Sequence, residues 1–372
     1  MIKLTLLMDY VEDNRLSMSR YSNDISQSIN LFLRSNRYDL ITFIPTFPKW
    51  LSRIGLNIAM QMRYARYLAY PRQARNLTSS LWHIVDQSYS HLLYEVDSAK
   101  TVVTVHDLIP ILGWKGAIPG FSYPHPPMLY MRSIRALKKA RAIIAVSKST
   151  KNDLINYCNI KSENIHIVHN AVSPVFRPLL NKLALREFLK LPLNEVCLVL
   201  ITGTQMYKNH LNSIRAIRVL ESTLNKPVQL VWLGGLHYSQ DSITELPLSE
   251  LSLPPILMGH ITQEELVMLY NAVDCLLFPS WYEGFGWPPL EAMSCGLPVI
   301  TSTRSSLPEV VGDAALLVDP ADVKGLAEAL KLMIENVDIR QEYIDRGFEN
   351  IKRFSYDKFA LSMKAVYDSL QI

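Results

Sequence analysis

Short apolar runs recur along the whole of this chain, and each is cut off by a Gly, Pro or polar cluster before a stretch with helical spacing begins. In the first half they fall at residues 2–8, 39–44, 101–106, 142–146 and 165–169. In the second half they fall at 196–201, 229–233, 256–258, 274–278, 298–301 and 315–318. A strand that is apolar on both faces needs helices on both sides of its sheet, which is the condition of a parallel, doubly wound arrangement. The alternation in both halves therefore predicts an α/β protein built on parallel sheets. Thr262 with Glu265 reads as a capping box, Asp322 as the cap of a helix to Ile334, and residues 356–370 as a final helix. At 372 residues the chain exceeds one ordinary core and suits two domains. The two-proline segment Ser173-Pro174-Val175-Phe176-Arg177-Pro178 predicts a linker between residues 1–172 and 179–355.

Hydrophobic residues make up 49% of the chain and charged residues 19%, the balance of a globular protein. No apolar stretch approaches the roughly 18 residues that a membrane-spanning helix needs. The opening residues carry Lys3 and run into Asp9, Glu12 and Asp13, which is unlike a signal peptide. Cys158, Cys197, Cys275 and Cys295 are far apart with no metal-ligand or disulfide spacing, and a reducing, cytoplasmic setting is expected. Residues 1–180 hold 22 Lys+Arg against 11 Asp+Glu and the remainder 16 against 23, so the net charge of +4 conceals a basic front half. Between Asp39 and Asp86 there is no acidic residue. Lys49, Arg53, Arg63, Arg66, Arg72 and Arg75 are interleaved there with Trp50, Leu51, Ile54, Leu56, Ile58, Met60, Met62, Tyr64, Tyr67, Leu68 and Tyr70. A basic amphipathic helix with interfacial aromatics fits an anionic membrane surface, and a core helix with arginines reaching to solvent is the alternative. Arg132, Arg135, Lys138, Lys139 and Arg141 form a second basic stretch. No nucleic-acid recognition motif accompanies these bases.

Two glutamates, Glu283 and Glu291, frame a stretch that begins Gly284-Phe285-Gly286 and ends Pro288-Pro289-Leu290. The preceding apolar run ends at Pro279-Ser280, so Glu283 and the glycines are expected in a loop at a strand's carboxyl end, where open α/β sheets bind ligands. Pro288 or Pro289 should open a short helix running through Met293 and stopped by Gly296. Free N–H groups at that helix start favour an anion, and the glycines let backbone approach it closely. A diphosphate fits there, with Glu291 in the first turn accepting from vicinal ribose hydroxyls and Glu283 facing another hydroxylated group. The plainer alternative is a pair of surface carboxylates, with Glu291 complementing the helix dipole.

At this point the chain resembles the retaining glycosyltransferases of family 4, whose hallmark is Glu, seven residues, Glu. The likeness extends through Gly296-Leu297-Pro298-Val299-Ile300, Ser306-Leu307-Pro308-Glu309-Val310, Gly312-Asp313-Ala314-Ala315 and Val318-Asp319-Pro320, and begins earlier at Gly259-His260-Ile261. The resemblance implies the GT-B arrangement: two Rossmann-like domains facing a cleft, the donor held by the C-terminal one, and a final helix that crosses back to the N-terminal domain. Residues 203–209 follow a strand and enter a helix, and Lys208 can reach the leaving phosphate there as a compact cation. The family places a Lys at this point with an Arg close before it. Lys208 and Asn209 match, but Thr204, Gln205, Met206 and Tyr207 supply no second cation. No Asp-any-Asp triplet is present, so transfer without a metal or other cofactor is expected.

His106-Asp107 closes a strand of the front half, where similar enzymes carry His-Asp; His106 could meet a sugar hydroxyl or the acceptor. Ser147 is a further candidate at the next strand's end. Where the family has glycines in a loop after the first strand, this chain has Ser17-Met18-Ser19-Arg20-Tyr21, and Asn170-Ala171 stands where Asn-Gly is commoner. The expectation is thus a hexosyltransferase moving a mannose- or glucose-type sugar from a nucleoside diphosphate to a hydroxyl. Polysaccharide, lipopolysaccharide or glycolipid synthesis is the expected setting. The catalytic candidates are His106, Lys208 and Glu283. Donor candidates are Thr204, Asn209, Gly284, Phe285, Gly286, Glu291, Gly259 and Ile261, and acceptor-side candidates are Ser17, Ser19, Arg20, Asp107 and Ser147. A non-catalytic nucleotide-sugar-binding protein is the rival class, and a phosphorylase or epimerase on the same scaffold is a further one.

Overall fold

The computed structural model describes residues 1–13, 16–32, 38–53, 55–193, 196–237 and 246–370. These divide into two compact units. The first comprises residues 1–115, 123–171 and 355–372; the second comprises 116–122 and 172–354.

The first unit holds a parallel sheet of β1 (Ile2–Leu7), β2 (Tyr38–Phe43), β3 (Leu81–Ile84), β4 (Thr101–Val105), β5 (Ala142–Ala145) and β6 (Ile165–Ile167). Its order is β2-β1-β3-β4-β5-β6. Five of these six strands lie on the apolar runs of the sequence, and β3 does not. β3 is four residues long with His83 in its middle, too short and too interrupted to show a period of its own. His83 is fully buried because its ring has partners on both sides: Nδ1 is 2.7 Å from the Tyr367 hydroxyl and Nε2 is 2.8 Å from Thr104 Oγ1. Tyr367 belongs to the last helix, Tyr356–Ser369, which packs in the first unit. There the Tyr356 hydroxyl donates to Asp24 at 2.5 Å and the Tyr38 hydroxyl to Asp368 at 2.6 Å. The sequence's end is thereby tied to the sheet formed by its beginning.

Three features of this unit differ from the sequence reading. Ser17, Ser19 and Arg20 lie in the helix Leu16–Phe32, not in a loop; the side chains of Ser17 and Ser19 are outside the described residues. The basic stretch 49–75 is not one helix but a turn Lys49–Arg53, a helix Ile58–Tyr64, a widened turn Ala65–Ala69 and a helix Tyr70–Arg75, with Pro71 at the last start; Ile54 is outside the described residues. Arg66 turns inward to Asp13 at 2.5 Å, and the Tyr89 hydroxyl donates to the same carboxylate.

The second unit holds β7 (Cys197–Thr202), β8 (Val228–Leu233), β9 (Ile256–Met258), β10 (Cys275–Phe278), β11 (Val299–Ser302) and β12 (Leu316–Val318), ordered β12-β11-β10-β7-β8-β9 and parallel throughout. Val199, Ile201, Leu230, Trp232 and Leu277 of the sheet meet Ile214, Ile217 and Leu220 of the helix His210–Glu221, and Leu326 and Leu330 of the helix Val323–Glu335. Each such side chain contributes about 1.5–3 kcal/mol by leaving water. The capping box at Thr262 and Glu265 makes both of its bonds, and Asp322 accepts from the Gly325 amide at 2.9 Å. Residues 173–178 pack in the second unit, where Phe176 is buried with its ring 6.0 Å from that of Tyr270; just before them the Val172 amide donates to Phe354 O at 2.9 Å. The segment 116–122 also packs here, its Phe121 ring 5.4 Å from that of Tyr207. The four cysteines are buried and free, and burial pushes the Cys158, Cys197 and Cys295 thiols up to about 12.

Burial lowers His83 to about 3, with a smaller contribution from His106, against an ordinary value near 6.5. Between those limits the unfolded chain binds a proton that the folded chain refuses, so stability rises with pH through this window and falls on acidification. Melting temperature should therefore drop as pH is lowered from 6.5 toward 4, and His83→Gln, which keeps hydrogen-bonding capacity without titrating, should flatten that slope relative to the parent.

Candidate active site

In the second sheet β7 and β10 are neighbours, yet the chain leaves β7 toward β8 and leaves β10 toward β11 on the opposite side. The loops beyond these two strands diverge, and a crevice opens between them at the carboxyl edge; this is where a doubly wound sheet takes its ligand. Both candidate loops of the sequence end here.

After β7, Gly203 takes φ +89°, and a Cβ on it would lie 3.1 Å from Lys208 Cε, so the glycine leaves room for the lysine stem. Trp232 Nε1 holds the Gly203 carbonyl at 2.9 Å. The turn Met206–Lys208 leads to Asn209 at φ +64°, the left-handed region that asparagine tolerates. Asn209 Nδ2 donates to Pro279 O at 3.1 Å and to Pro320 O at 2.8 Å. The Trp281 amide donates to Tyr207 O at 2.8 Å. These bonds stitch the β7 loop to the β10 loop. Lys208 Nζ is then 2.7 Å from Glu283 Oε1, a partnership across 75 residues of sequence, and it lies 4.7 Å from the centre of the Phe278 ring. Both side chains are nearly covered, 13% and 11% exposed, so the ion pair is not a solvated surface contact. An ammonium so placed needs a negative partner, because an isolated buried charge is strongly disfavoured.

After β10, the Glu283 amide donates to Ser305 Oγ at 2.8 Å. The Ser306 hydroxyl donates to Glu283 O at 2.9 Å and to Phe285 O at 2.7 Å. Gly284 is buried, and Phe285 is buried with its ring 5.7 Å from that of Phe354. Gly286 takes φ +106°, and a Cβ there would sit 2.8 Å from Leu307 Cδ2, so only glycine fits. The helix Trp287–Ser294 follows, with proline at its start. It begins one residue ahead of Pro288, which makes Glu291 its fifth residue and places it beyond the first turn expected of it. Glu291 is 3% exposed and accepts from the Tyr270 hydroxyl at 2.9 Å. Neither glutamate is a surface carboxylate.

Gly259 and Ile261 lie just beyond β9, half-buried. Met258 O accepts from the Gly234 amide at 2.9 Å, and a Cβ on Gly234 would be 3.3 Å from Thr204 Cγ2, which brings the β8 and β9 ends up to the β7 loop. The second unit thus collects Thr204, Lys208, Asn209, Glu283, Gly284, Phe285, Gly286 and Glu291, with Gly259 and Ile261 alongside. His106, Asp107, Ser147 and Arg20 are in the first unit. His106 Nε2 bonds Val85 O at 2.9 Å; a carbonyl only accepts, so that nitrogen carries hydrogen, and the Tyr21 ring stands edge-on at 4.5 Å. Asp107 Oδ1 accepts from the Ile109 amide at 3.0 Å. Ser147 is fully buried and caps the helix Lys148–Cys158 by accepting from the Thr150 amide at 3.0 Å. Its hydroxyl serves a helix start, not a surface. Arg20 lies 3.8 Å from Asp24, one helical turn on. Sequence reasoning missed Tyr270, Trp232, Ser305 and Ser306, whose partners lie between 21 and 29 residues away and appear only with the fold.

The second unit is thus a Rossmann-type unit with a lysine beyond one strand and a helix start beyond its neighbour. The model described as "Glycosyltransferase Family 4" matches residues 24–176, and the one described as "Glycosyl transferases group 1" matches residues 182–350. The chain belongs to glycosyltransferase family 4. It is 30% identical over 262 residues to O-antigen chain mannosyltransferase B of Escherichia coli, covering 69% of this chain and 67% of that protein. It is 27% identical to O-antigen chain mannosyltransferase RfbU of Salmonella typhimurium, covering 75% and 78%. It spans about a third, 32%, of the length of the Escherichia coli serotype-specific mannosyltransferase WbdA. Among solved structures, sucrose-phosphate synthase from Thermosynechococcus elongatus superposes with a TM-score of 0.75 at 17% identity, covering 100% of this chain and 99% of that one. Anabaena Alr3699/HepE in complex with UDP and glucose gives 0.70 at 16%, covering 99% and 100%. The shared fold is GT-B.

Tyr270→Phe removes one hydrogen bond to a buried carboxylate, worth about 1.5–3 kcal/mol for a charged acceptor. The melting temperature of the free protein, measured calorimetrically, should therefore fall by several degrees, about 2–4 °C for each kcal/mol lost.

Proposed function

We propose that the chain is a retaining hexosyltransferase that moves mannose from a nucleoside diphosphate to a saccharide hydroxyl in polysaccharide assembly, without a metal. The Lys208–Glu283 pair beside the helix Trp287–Ser294 is the observation that carries this reading. When a donor enters, its diphosphate competes with Glu283 for the ammonium, and the freed carboxylate turns to a hydroxyl of the transferred sugar. Lys208 and the helix start then neutralise the charge that grows on the leaving oxygen. Glu291, oriented by Tyr270, holds the ribose. The bond from the anomeric carbon to the diphosphate oxygen breaks. The acceptor oxygen bonds to that carbon on the same face, and its proton passes to the departing diphosphate. Mannose as the sugar, and an O-antigen-like saccharide as acceptor, are supported by the names of the relatives. Metal independence is supported by the lysine itself, whose charge can neutralise a diphosphate in place of a divalent ion.

Lys208→Ala should lower kcat by about a hundredfold, the scale of losing one preorganised charge at a developing anion. Glu291→Ala should instead weaken nucleoside diphosphate binding. GDP-mannose and UDP-glucose are the donors to compare, in excess chelator, with the product's anomeric configuration read by NMR. Turnover of GDP-mannose with retention is expected; an inverted product, or unchanged turnover in Lys208→Ala, removes the assignment.

The front unit supplies a peripheral attachment to the inner face of the cell membrane. Among the described residues no helix is long and apolar enough to cross a bilayer. Trp50, Ile58, Met60 and Leu68 are nonetheless exposed, amid exposed Lys49, Arg53, Arg63 and Arg72. Apolar side chains left in water next to cations fit the boundary of an anionic bilayer better than a core helix. Binding to vesicles containing phosphatidylglycerol, absent with phosphatidylcholine alone, is expected, and replacement of Lys49, Arg53 and Arg63 by Gln should abolish it.

A further inference from the structure

Two serines next to the site behave against their local preferences, and both deviations serve the same loop. Ser306 precedes the helix Leu307–Val311 at the capping position, where a serine hydroxyl ordinarily accepts from an amide of the first turn. It makes no such bond. Its single hydroxyl hydrogen is placed between the carbonyls of Glu283 and Phe285, at 2.9 and 2.7 Å, and the side chain is completely buried. Ser305 takes φ +52°, a left-handed conformation that a side chain with a Cβ adopts only at a cost. Glycine would occupy it freely, yet a serine stands there, and its Oγ accepts from the Glu283 amide at 2.8 Å. Both polar groups of the Glu283 backbone, and the carbonyl two residues on, are thus held by adjacent hydroxyls. Positions that break local rules without a local gain are those where function is expected to hold the structure.

We propose that Ser305 and Ser306 are positioning residues for sugar transfer, acting through Glu283. Clamped at its amide and its carbonyl, Glu283 has a fixed backbone from which its carboxylate reaches Lys208 in the free protein and a sugar hydroxyl in the donor complex. The nucleotide is held by Lys208 and Glu291, so loosening the clamp affects the transferred sugar and not the nucleotide. The proposal rests on the transfer reading above.

The discriminating variant is Ser305→Gly, which removes the hydroxyl while relieving the backbone strain. A merely structural serine in a strained conformation gains stability from this change and loses nothing. The expected result is a melting temperature equal to or above the parent's, kcat lowered at least threefold, donor KM within twofold, and faster amide exchange in the peptide spanning residues 281–287. Ser306→Ala should show the same kinetic split, and Ser305→Gly decides the matter if that variant does not fold. A Ser305→Gly kcat within threefold of the parent's, or unchanged exchange in that peptide, overturns the proposal. If the parent itself transfers no hexose from any donor, the transfer reading falls, whereas the exchange measurement still decides whether the serines hold the loop.

Discussion

A lysine ammonium largely closed off from water must be neutralised, and in this protein Glu283 does it. Lys208 Nζ and Glu283 Oε1 approach to 2.7 Å in a setting largely closed to water. An unpaired ammonium there would be costly, and an unpaired carboxylate equally so. The pair is therefore both a structural bond and a reservation of the site. A ligand that brings its own negative charge can displace the carboxylate, and a neutral sugar cannot. Under the proposed function, selection for a charged donor would follow from that exchange before any base or sugar is read.

The pair exists because of strand order. Lys208 and Glu283 sit beyond β7 and β10, which are separated in sequence but adjacent in the sheet. The two loops leave in opposite directions, so a further set of bonds keeps them in register. Asn209 spans to Pro279 and Pro320, the Trp281 amide reaches Tyr207, and Ser305 and Ser306 hold the far side of the Glu283 loop. Gly203 and Gly286 each sit at a close approach, one against the Lys208 stem and the other against Leu307. The rigid sheet supplies the adjacency, and the loops supply the final ångström.

What could be read in the sequence and what could not divide along physical lines. The strands of the second sheet announced themselves as short apolar runs, with β7, β10 and β11 buried throughout, and all six are in place. β3 escaped because His83 interrupts it, and a buried histidine makes sense only once Thr104 and Tyr367 are seen on either side. Lys208 and the two glutamates stood out by their neighbours in sequence, glycines and prolines that mark a strand-to-helix turn. Their mutual contact did not, since nothing local encodes a meeting across 75 residues. Tyr270 and Ser305 carry no signature at all, and Ser306 stood out only within a family-like stretch, because each acts on a partner brought by the fold. Ser147 shows the opposite case: a serine at a strand's end is as suitable for capping the next helix as for meeting a substrate, and here it caps. The basic stretch 49–75 kept its exposed apolar side chains while losing its continuity as a helix.

The most direct test is a crystal structure of the protein with a nucleoside diphosphate bound. The expected density places the terminal phosphate within hydrogen-bonding distance of Lys208 Nζ and close to the start of the helix Trp287–Ser294, the ribose hydroxyls on Glu291, and Glu283 withdrawn from the lysine. A nucleotide lodged away from these residues, or bound there with the Lys208–Glu283 contact intact, contradicts the exchange on which the transfer mechanism depends.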